Sequence, residues 1–167
     1  NFPVASWLCP PRLRPPIAAI YWFARSADDL ADEGDAPPEQ RLADLAAYRD
    51  ELFAVAEGKA PSGRWSQVFT PLARALAEFA LPTQLLADLL DAFVQDVRFT
   101  ASGRRYADDA ELHDYCRRSA NPVGRLLLHL FGQATPENLT RSDAICSALQ
   151  LINHWQDVGI DAGKNAN

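Results

Sequence analysis

Two groups of polar side chains recur at helical spacing, one near each end of the chain. The first group is Tyr21, Arg25, Asp28 and Asp32, spaced four, three and four residues apart, with Asp29 beside them. An α-helix turns by about 100° per residue, so residues three or four apart share one face. We therefore expect these side chains to form one polar stripe along a helix, which we call the first stripe.

The second stripe is Gln150, Asn153, Asp157 and Asp161, spaced three, four and four residues apart on an otherwise apolar segment. Carboxylates four residues apart on a helix lie roughly 6 Å from each other, so each stripe carries a pair that could bind a hard cation. Mg²⁺ favours one or two carboxylates together with phosphate oxygens. Two such stripes facing each other across a bundle predict a site for a Mg²⁺-bridged diphosphate.

The acidic cluster at residues 28–33 also has a plainer interpretation, the solvated end of a surface helix. Acidic groups at a helix C-terminus oppose the helix dipole by a few tenths of a kcal/mol each. They are therefore misplaced there unless positive charge neutralises them. The second stripe, with the same geometry, favours the binding interpretation.

The rest of the chain has helical periodicity, and no sustained alternation of apolar and polar residues indicates a strand. We predict an all-α bundle. Its helices are expected near residues 16–33, 38–57, 70–80, 82–99, 108–120, 122–132 and 140–161. Pro16, Pro38, Pro71 and Pro82 are expected to begin helices, where a missing N–H costs nothing. Thr140 to Asp143 are expected to form a capping box at the start of the last helix.

Composition excludes several classes of protein. The 167 residues carry 22 acidic and 16 basic side chains, a net charge of −6, which argues against nucleic-acid binding. Cys9, Cys116 and Cys146 form no CxxC pair and predict neither a zinc site nor a disulfide framework. No apolar run reaches the roughly 18 residues of a spanning helix. We expect a cytoplasmic protein with at most peripheral contact with the inner face of the membrane, and a native start that precedes Asn1.

In these motifs the chain resembles the squalene and phytoene synthases. The first stripe matches their first aspartate-rich motif, the second stripe matches the second, and Tyr115-Cys116 with Val123-Gly124 is similar to their central helix. The resemblance implies a single, incomplete domain over residues 1–167. Its fold would be an isoprenoid-synthase-type helical bundle around a central cavity, with the C-terminal part missing.

The resemblance also implies roles for individual residues. Mg²⁺ would be held by five aspartates: Asp28, Asp29, Asp32, Asp157 and Asp161. The catalytic residues would be Tyr21, Arg25, Tyr115 and Asn121. The substrate would contact Phe2, Val123, Gly124, Gln150 and Asn153.

The central segment departs from the family pattern Ala-Gly-Thr-Val-Gly, because it reads Ala120-Asn121-Pro122-Val123-Gly124. In this it resembles the bacterial hopanoid-pathway branch, which includes hydroxysqualene synthase. Our hypothesis is that Asn121 or Ser119 places the water that quenches a carbocation, since a bound water needs two to four polar partners. Pro122 is expected to interrupt the central helix or to begin the next one.

The function implied is the Mg²⁺-dependent conversion of presqualene diphosphate to hydroxysqualene, with a functional link to other enzymes of squalene biosynthesis. A first alternative is a squalene or phytoene synthase that condenses two prenyl diphosphates, such as farnesyl diphosphate, head to head. A second alternative, of another class, is a non-catalytic helical protein that binds isoprenoid lipid.

Overall fold

The structure is a computed structural model that describes residues 9–104 and 106–164. The side chains of residues 109 and 154–164 are not described. Three residues assigned a role from the sequence are affected. Phe2 lies outside the described part of the chain, and for Asp157 and Asp161 only the backbone is described.

The described residues form α-helices joined by short connections, without a strand among them, so the predicted all-α fold is confirmed. A 3₁₀ turn at Pro11–Leu13 leads into the first helix. The helices are α1 Arg14–Asp32, α2 Pro38–Ala56, α3 Ser66–Phe79, α4 Thr83–Ser102, α5 Asp109–Ser119, α6 Asn121–Leu130 and α7 Pro136–Lys164.

Helix α3 begins four residues earlier than predicted, and Pro71 lies inside it rather than at its start. The backbone carbonyl of Trp65 accepts hydrogen bonds from the N–H groups of Val68 and Phe69, at 2.9 and 3.0 Å, and so opens the helix there. Phe69 is completely buried. Burial of this ring stabilises the first turn ahead of the proline, at the cost of one helical hydrogen bond.

The predicted capping box at Thr140 is wrong, because α7 begins at Pro136. The hydroxyl of Thr135 accepts a hydrogen bond from the backbone N–H of Asn138 at 3.2 Å, as an N-terminal capping residue does. Thr140 instead donates to the carbonyl of Pro136 within the helix. Asp143 pairs with Arg125 of α6.

Helix α1 carries the first stripe and is held by its opposite face. Ile17, Ile20, Phe23, Ala27 and Ala31 recur at three- and four-residue spacing and are buried. Helix α1 contacts α2, α3 and α4. The polar stripe is therefore on the one side of α1 that these three helices leave partly open.

An aromatic cluster fixes α1 against α2 and α3. The Tyr48 ring lies 5.1 Å from the Phe23 ring, 4.7 Å from Phe69 and 5.0 Å from Trp65, measured between centroids. The Tyr48 hydroxyl donates a hydrogen bond of 3.1 Å to the backbone carbonyl of Phe23, in the buried interior. This bond fixes the position of α1 along its axis relative to α2. It does so at Phe23, which is two residues from both Tyr21 and Arg25.

Replacing Tyr48 by phenylalanine is expected to lower the free energy of unfolding by about 1 kcal/mol, because the variant loses the buried hydrogen bond to the Phe23 carbonyl and keeps the ring. Urea denaturation of the full-length protein measures it. A loss of about 3 kcal/mol or more would exceed the worth of one such bond and show that the hydroxyl does more than tie α1 to α2.

Helices α5, α6 and α7 complete the described part of the bundle. Helix α4 contacts α1 and α2 on one side and α5 and α6 on the other, and α7 packs on α5 and α6. Pro122 lies in the first turn of α6, so the central helix is interrupted at Ala120, as expected. Across the described residues, none of the helices combines the length and the apolarity needed to cross a bilayer.

Candidate active site

Arg25 neutralises part of the negative charge of the first stripe. Its guanidinium lies 2.9 Å from Asp28 Oδ2, 2.7 Å from Asp29 Oδ1 and 2.6 Å from Glu33 Oε1. The three contacts are partly exposed, so each contributes little to stability on its own. One arginine nevertheless faces three carboxylates here, and Asp32 adds a fourth negative charge to the same end of α1.

Asp29 has an unused acceptor. Its Oδ1 is shielded from solvent and forms no aligned hydrogen bond, although Arg25 Nη2 lies 2.7 Å away. The contact is therefore an ion pair by distance without the directionality of a hydrogen bond. A buried carboxylate oxygen in this state suits a further cation or donor.

The C-terminal end of α1 is capped by a second arginine. Arg41 of α2 donates to the carbonyls of Ala31 at 2.7 Å, Gly34 at 2.6 Å and Ala36 at 2.9 Å. Its positive charge offsets the unfavourable position of the acidic residues at the helix end. Arg25 and Arg41 thus provide part of the neutralising charge that the sequence argument required, but neither contacts Asp32 in the hydrogen bonds described.

Helix α4 contributes a carboxylate that the sequence did not single out, Asp96. Burial is the main cause that raises the pKa of Asp96 to about 6, and the charges of Asp32 and Asp28 raise it further. Hydrogen bonding from Tyr115 and the charge of Arg118 act in the opposite direction. Asp96 therefore faces the first stripe and adds negative charge to it.

The pKa of Asp28 is also raised, first by burial and then by the charge of Asp32, while Arg25 compensates only in part. A carboxylate gathered with others of the same charge is protonated more easily, unless a cation joins them. The raised values at Asp28 and Asp96 thus indicate more negative charge than the described side chains neutralise. Oxygen donors of this kind, with unsatisfied negative charge, fit a hard divalent cation.

Tyr115 reaches the same place from α5. Its hydroxyl donates a hydrogen bond of 2.7 Å to Asp96 Oδ2, and its ring lies 5.5 Å from that of Tyr106. Burial, with the charge of Asp96, holds the pKa of Tyr115 above its ordinary range, so the phenol keeps its proton. Tyr115 is therefore connected to the first stripe through one carboxylate.

The second stripe lies on α7, whose helical backbone is described as far as Lys164. Gln150 is half-buried and Asn153 is exposed. The side chains of Asp157 and Asp161 lie outside the described residues, so the facing of the two stripes stays a prediction. Among the side chains that are described, no group of three or more possible metal ligands is gathered.

An exposed apolar surface lies on α6 and α7, and we call it the apolar wall. Its members are large hydrophobic residues at helical spacing, each more than a third exposed: Val123, Leu127, Phe131, Ile145, Leu149 and Ile152. A groove of about 540 Å³ runs between the two helices at this surface, lined by Leu127, Leu128, Phe131 and Ile145 among others. Such a contiguous apolar face is typical of a surface that binds an apolar ligand or packs against further protein.

Two residues predicted to act in the site lie at the junction of α6 and α7. Asn121 is 6% exposed, and its Oδ1 accepts a hydrogen bond of 3.0 Å from the Ser147 hydroxyl. Gly124 faces Ser142 and Cys146 so closely that a Cβ added there would meet both side chains at 2.6 Å or less. Val123, by contrast, is 38% exposed and lies on the apolar wall.

The fold and site together define an all-α protein in which a cluster of carboxylates and one tyrosine is accompanied by an exposed apolar wall. Comparison with known families assigns it further. The sequence model of the squalene/phytoene synthase family matches residues 1–166, and the chain belongs to this family.

Similar proteins come from bacteria. The chain is 43% identical to hydroxysqualene synthase of Rhodopseudomonas palustris over 161 residues, which are 96% of this chain and 51% of the relative. It is 34% identical to presqualene diphosphate synthase of the same organism, over 98% of this chain and 55% of the relative. The crystal structure of squalene synthase HpnC from Alicyclobacillus acidocaldarius is similar with a TM-score of 0.82 and 38% identity, covering 98% of this chain and 58% of that one.

The chain therefore spans about half the length of the curated relatives that it matches. The all-α fold predicted from the resemblance is confirmed by the likeness to the HpnC structure.

Proposed function

We propose that the full-length protein converts presqualene diphosphate to hydroxysqualene. The observation that carries this proposal is the gradation of similarity among relatives of known activity. Identity is 40–43% with three hydroxysqualene synthases, and 34% with presqualene diphosphate synthase and with phytoene synthase of Rhodobacter capsulatus, over nearly the same residues. The departure at Asn121-Pro122 points to the same branch.

The reaction breaks the C–O bond of the diphosphate ester and releases diphosphate with the bonding electron pair. The remaining carbocation rearranges, and water adds to it with loss of one proton, which gives hydroxysqualene. Mg²⁺, when bound, supplies positive charge that stabilises the leaving diphosphate. Asp28, Asp29 and Asp32 would hold Mg²⁺ from α1, and Asp157 and Asp161 from α7.

The described side chains suit the two ends of this substrate. Arg25 lies among the carboxylates of the first stripe. A guanidinium can form two parallel hydrogen bonds to phosphate oxygens, so Arg25 would bind the diphosphate by turning toward it. The apolar wall would receive hydrocarbon and keep water from the cation. Tyr21, with Gln150 and Asn153 from α7, would line the region between these two parts.

Tyr115 has the properties of a neutral group beside a cation. Because its proton is retained and donated to Asp96, the ring presents an electron-rich face without a full negative charge that could capture the cation. Asp96 holds the tyrosine in this orientation. We expect Tyr115 to stabilise the cation or to take part in proton transfer at this place.

The test is to give the full-length protein presqualene diphosphate and farnesyl diphosphate separately, with Mg²⁺, and to identify the products by mass spectrometry. We expect hydroxysqualene from presqualene diphosphate and no condensation of farnesyl diphosphate. Formation of squalene, presqualene diphosphate or a carotenoid precursor from farnesyl diphosphate would instead show a head-to-head condensing synthase. Binding without turnover of either compound would show a non-catalytic isoprenoid-binding protein.

The location proposed with this function is cytoplasmic, with peripheral contact with the inner face of the membrane, because the substrate and product carry long hydrocarbon chains. The same pathway would link the protein to enzymes that make presqualene diphosphate and consume hydroxysqualene.

A further inference from the structure

Three contacts join α6 to α7 along one line. Arg125 donates from Nε to Asp143 Oδ1 at 2.8 Å, and its Nη2 pairs with the second carboxylate oxygen. Gly124 lies directly beneath Ser142 and Cys146. Asn121 accepts the hydrogen bond from Ser147. As the residue numbers fall along α6 they rise along α7, so the helices run antiparallel in one defined register.

The contacts on α7 lie on the same face as the second stripe. Asp143, Ser147, Gln150 and Asn153 are spaced four, three and three residues apart, so the line of contacts continues directly into the stripe. Ser147 lies one helical turn before Gln150. Because Ser147 and the second stripe belong to the same helix, a contact that fixes Ser147 against α6 also fixes the position of the second stripe along the helix axis.

Asn121 is suited to fix this register because it is a buried polar group with one partner across the interface. Asn121 is 6% exposed, and apart from tyrosine and cysteine no other polar or charged residue among those described is buried. A buried amide without a partner is destabilising, and a shifted α7 would lose this hydrogen bond without forming another. A single buried asparagine specifies register between packed helices in the same manner elsewhere.

Gly124 makes the close approach possible, and the Arg125–Asp143 pair marks the other end of the contact line. A shift of α7 by one helical turn would move its side chains by about 5.4 Å along the axis. That displacement is far larger than the variation of about 0.2 Å that a metal–ligand distance tolerates. The register thus decides whether carboxylates on α7 and on α1 can share one ligand.

We propose that Asn121 is a positioning residue, which sets the register of α7 through Ser147 and so fixes the height of the part of α7 that carries the second stripe. The proposal rests on the proposed function only where it concerns the ligand that the two stripes share. In this role Asn121 acts through Ser147 and the backbone of α7, and not by touching the substrate.

The experiment compares variants of the full-length protein at Ser147. Ser147→Val removes the hydroxyl and keeps the shape of threonine, whereas Ser147→Thr keeps a hydroxyl at the same place. Calorimetry with Mg²⁺ and inorganic diphosphate measures ligand binding without turnover. We expect Ser147→Val and Asn121→Leu each to weaken binding about tenfold or more, with Ser147→Thr close to the unchanged protein. Thr140→Val is the matched control, since that hydroxyl bonds only to its own helix at Pro136.

The double variant Asn121→Leu/Ser147→Val tests the pair itself. Because the two side chains share one hydrogen bond, the double variant is expected to lose little more binding or denaturation resistance than either single variant. Additive losses, or unchanged Mg²⁺–diphosphate binding in a folded Asn121→Leu variant, would overturn the proposal. Failure of the unchanged protein to bind Mg²⁺ and diphosphate would instead contradict the proposed function, and the additivity of the denaturation data would still decide the role of Asn121.

The reaction products separate this role from the placement of a quenching water. A positioning residue raises KM and the Mg²⁺ concentration needed for half-maximal activity, without changing the ratio of hydroxysqualene to other products. A changed product ratio at unaltered Mg²⁺ dependence would show that Asn121 holds the water and would contradict the positioning role.

Discussion

Replacing Asp28 by asparagine in the full-length protein is expected to slow diphosphate release at least about 100-fold. Asparagine has nearly the same shape but no charge, so the substitution tests the carboxylate and leaves packing on α1 unchanged. The pKa of Asp28 is raised by burial and by Asp32, which shows that its charge is poorly compensated by the protein alone. A charge of that kind is retained at a cost and is neutralised when a cation binds.

The measurement is the release of diphosphate at saturating Mg²⁺, together with binding of inorganic diphosphate by calorimetry. Asp50→Asn is the control, because Asp50 is an exposed carboxylate of α2 away from the stripe. Equal activity of the two variants would favour the plainer interpretation of residues 28–33 as a solvated helix end. Loss of turnover with unchanged diphosphate binding would place Asp28 in the chemical step rather than in binding.

Replacing Asp96 by asparagine is expected to stabilise the metal-free protein at neutral pH while it impairs catalysis. The folded-state pKa of about 6 lies above the ordinary value of 3.8, so between these values the folded protein holds a proton that the unfolded chain has lost. Stability therefore falls as the pH rises from about 4 through about 6. The introduced asparagine would not titrate, and its amide oxygen can still accept the hydrogen bond from Tyr115.

A difference of about two pKa units corresponds to about 3 kcal/mol, and partial exposure of Asp96 to solvent reduces the expected gain to about 1–2 kcal/mol above about pH 6. At about pH 4 the variant and the unchanged protein are expected to be equally stable. Denaturation in the presence of a chelator across about pH 4–8 measures the difference, with Asp50→Asn as the control. A constant difference at all pH values would mean that packing, not charge, distinguishes the variant.

The sequence predicted the helices and the first stripe because both are local. Their signals are residues three or four positions apart, and a helix brings such residues together whatever the rest of the chain does. Asp96 and Tyr115 are 19 residues apart on different helices, and only tertiary packing joins them. A signal for Asp96 was nevertheless present, since it follows the buried Leu89 and Ala92 at helical spacing and is thus a carboxylate on an apolar face.

The errors at the starts of α3 and α7 have different causes, one in tertiary packing and one in a local cap. Prolines were expected to begin helices, yet the burial of Phe69 extends α3 ahead of Pro71. Thr135 caps α7 one turn before the pattern at Thr140 that resembled a cap. The role of Asn121 depended in turn on what stands opposite it, and no spacing within α6 could indicate Ser147 on α7.

If a cation and a diphosphate bind at the first stripe as proposed, the contacts of Arg25 would make their binding mutually dependent. A metal ion arriving alone must compete with a guanidinium that already faces three carboxylates, and a diphosphate arriving alone would draw that guanidinium away and leave the carboxylates uncompensated. When both arrive together, each charge finds an opposite one. If both ligands bind here as proposed, each would raise the affinity for the other by the same factor. Without these ligands, the Arg25 guanidinium supplies part of the positive charge that a bound metal ion would supply.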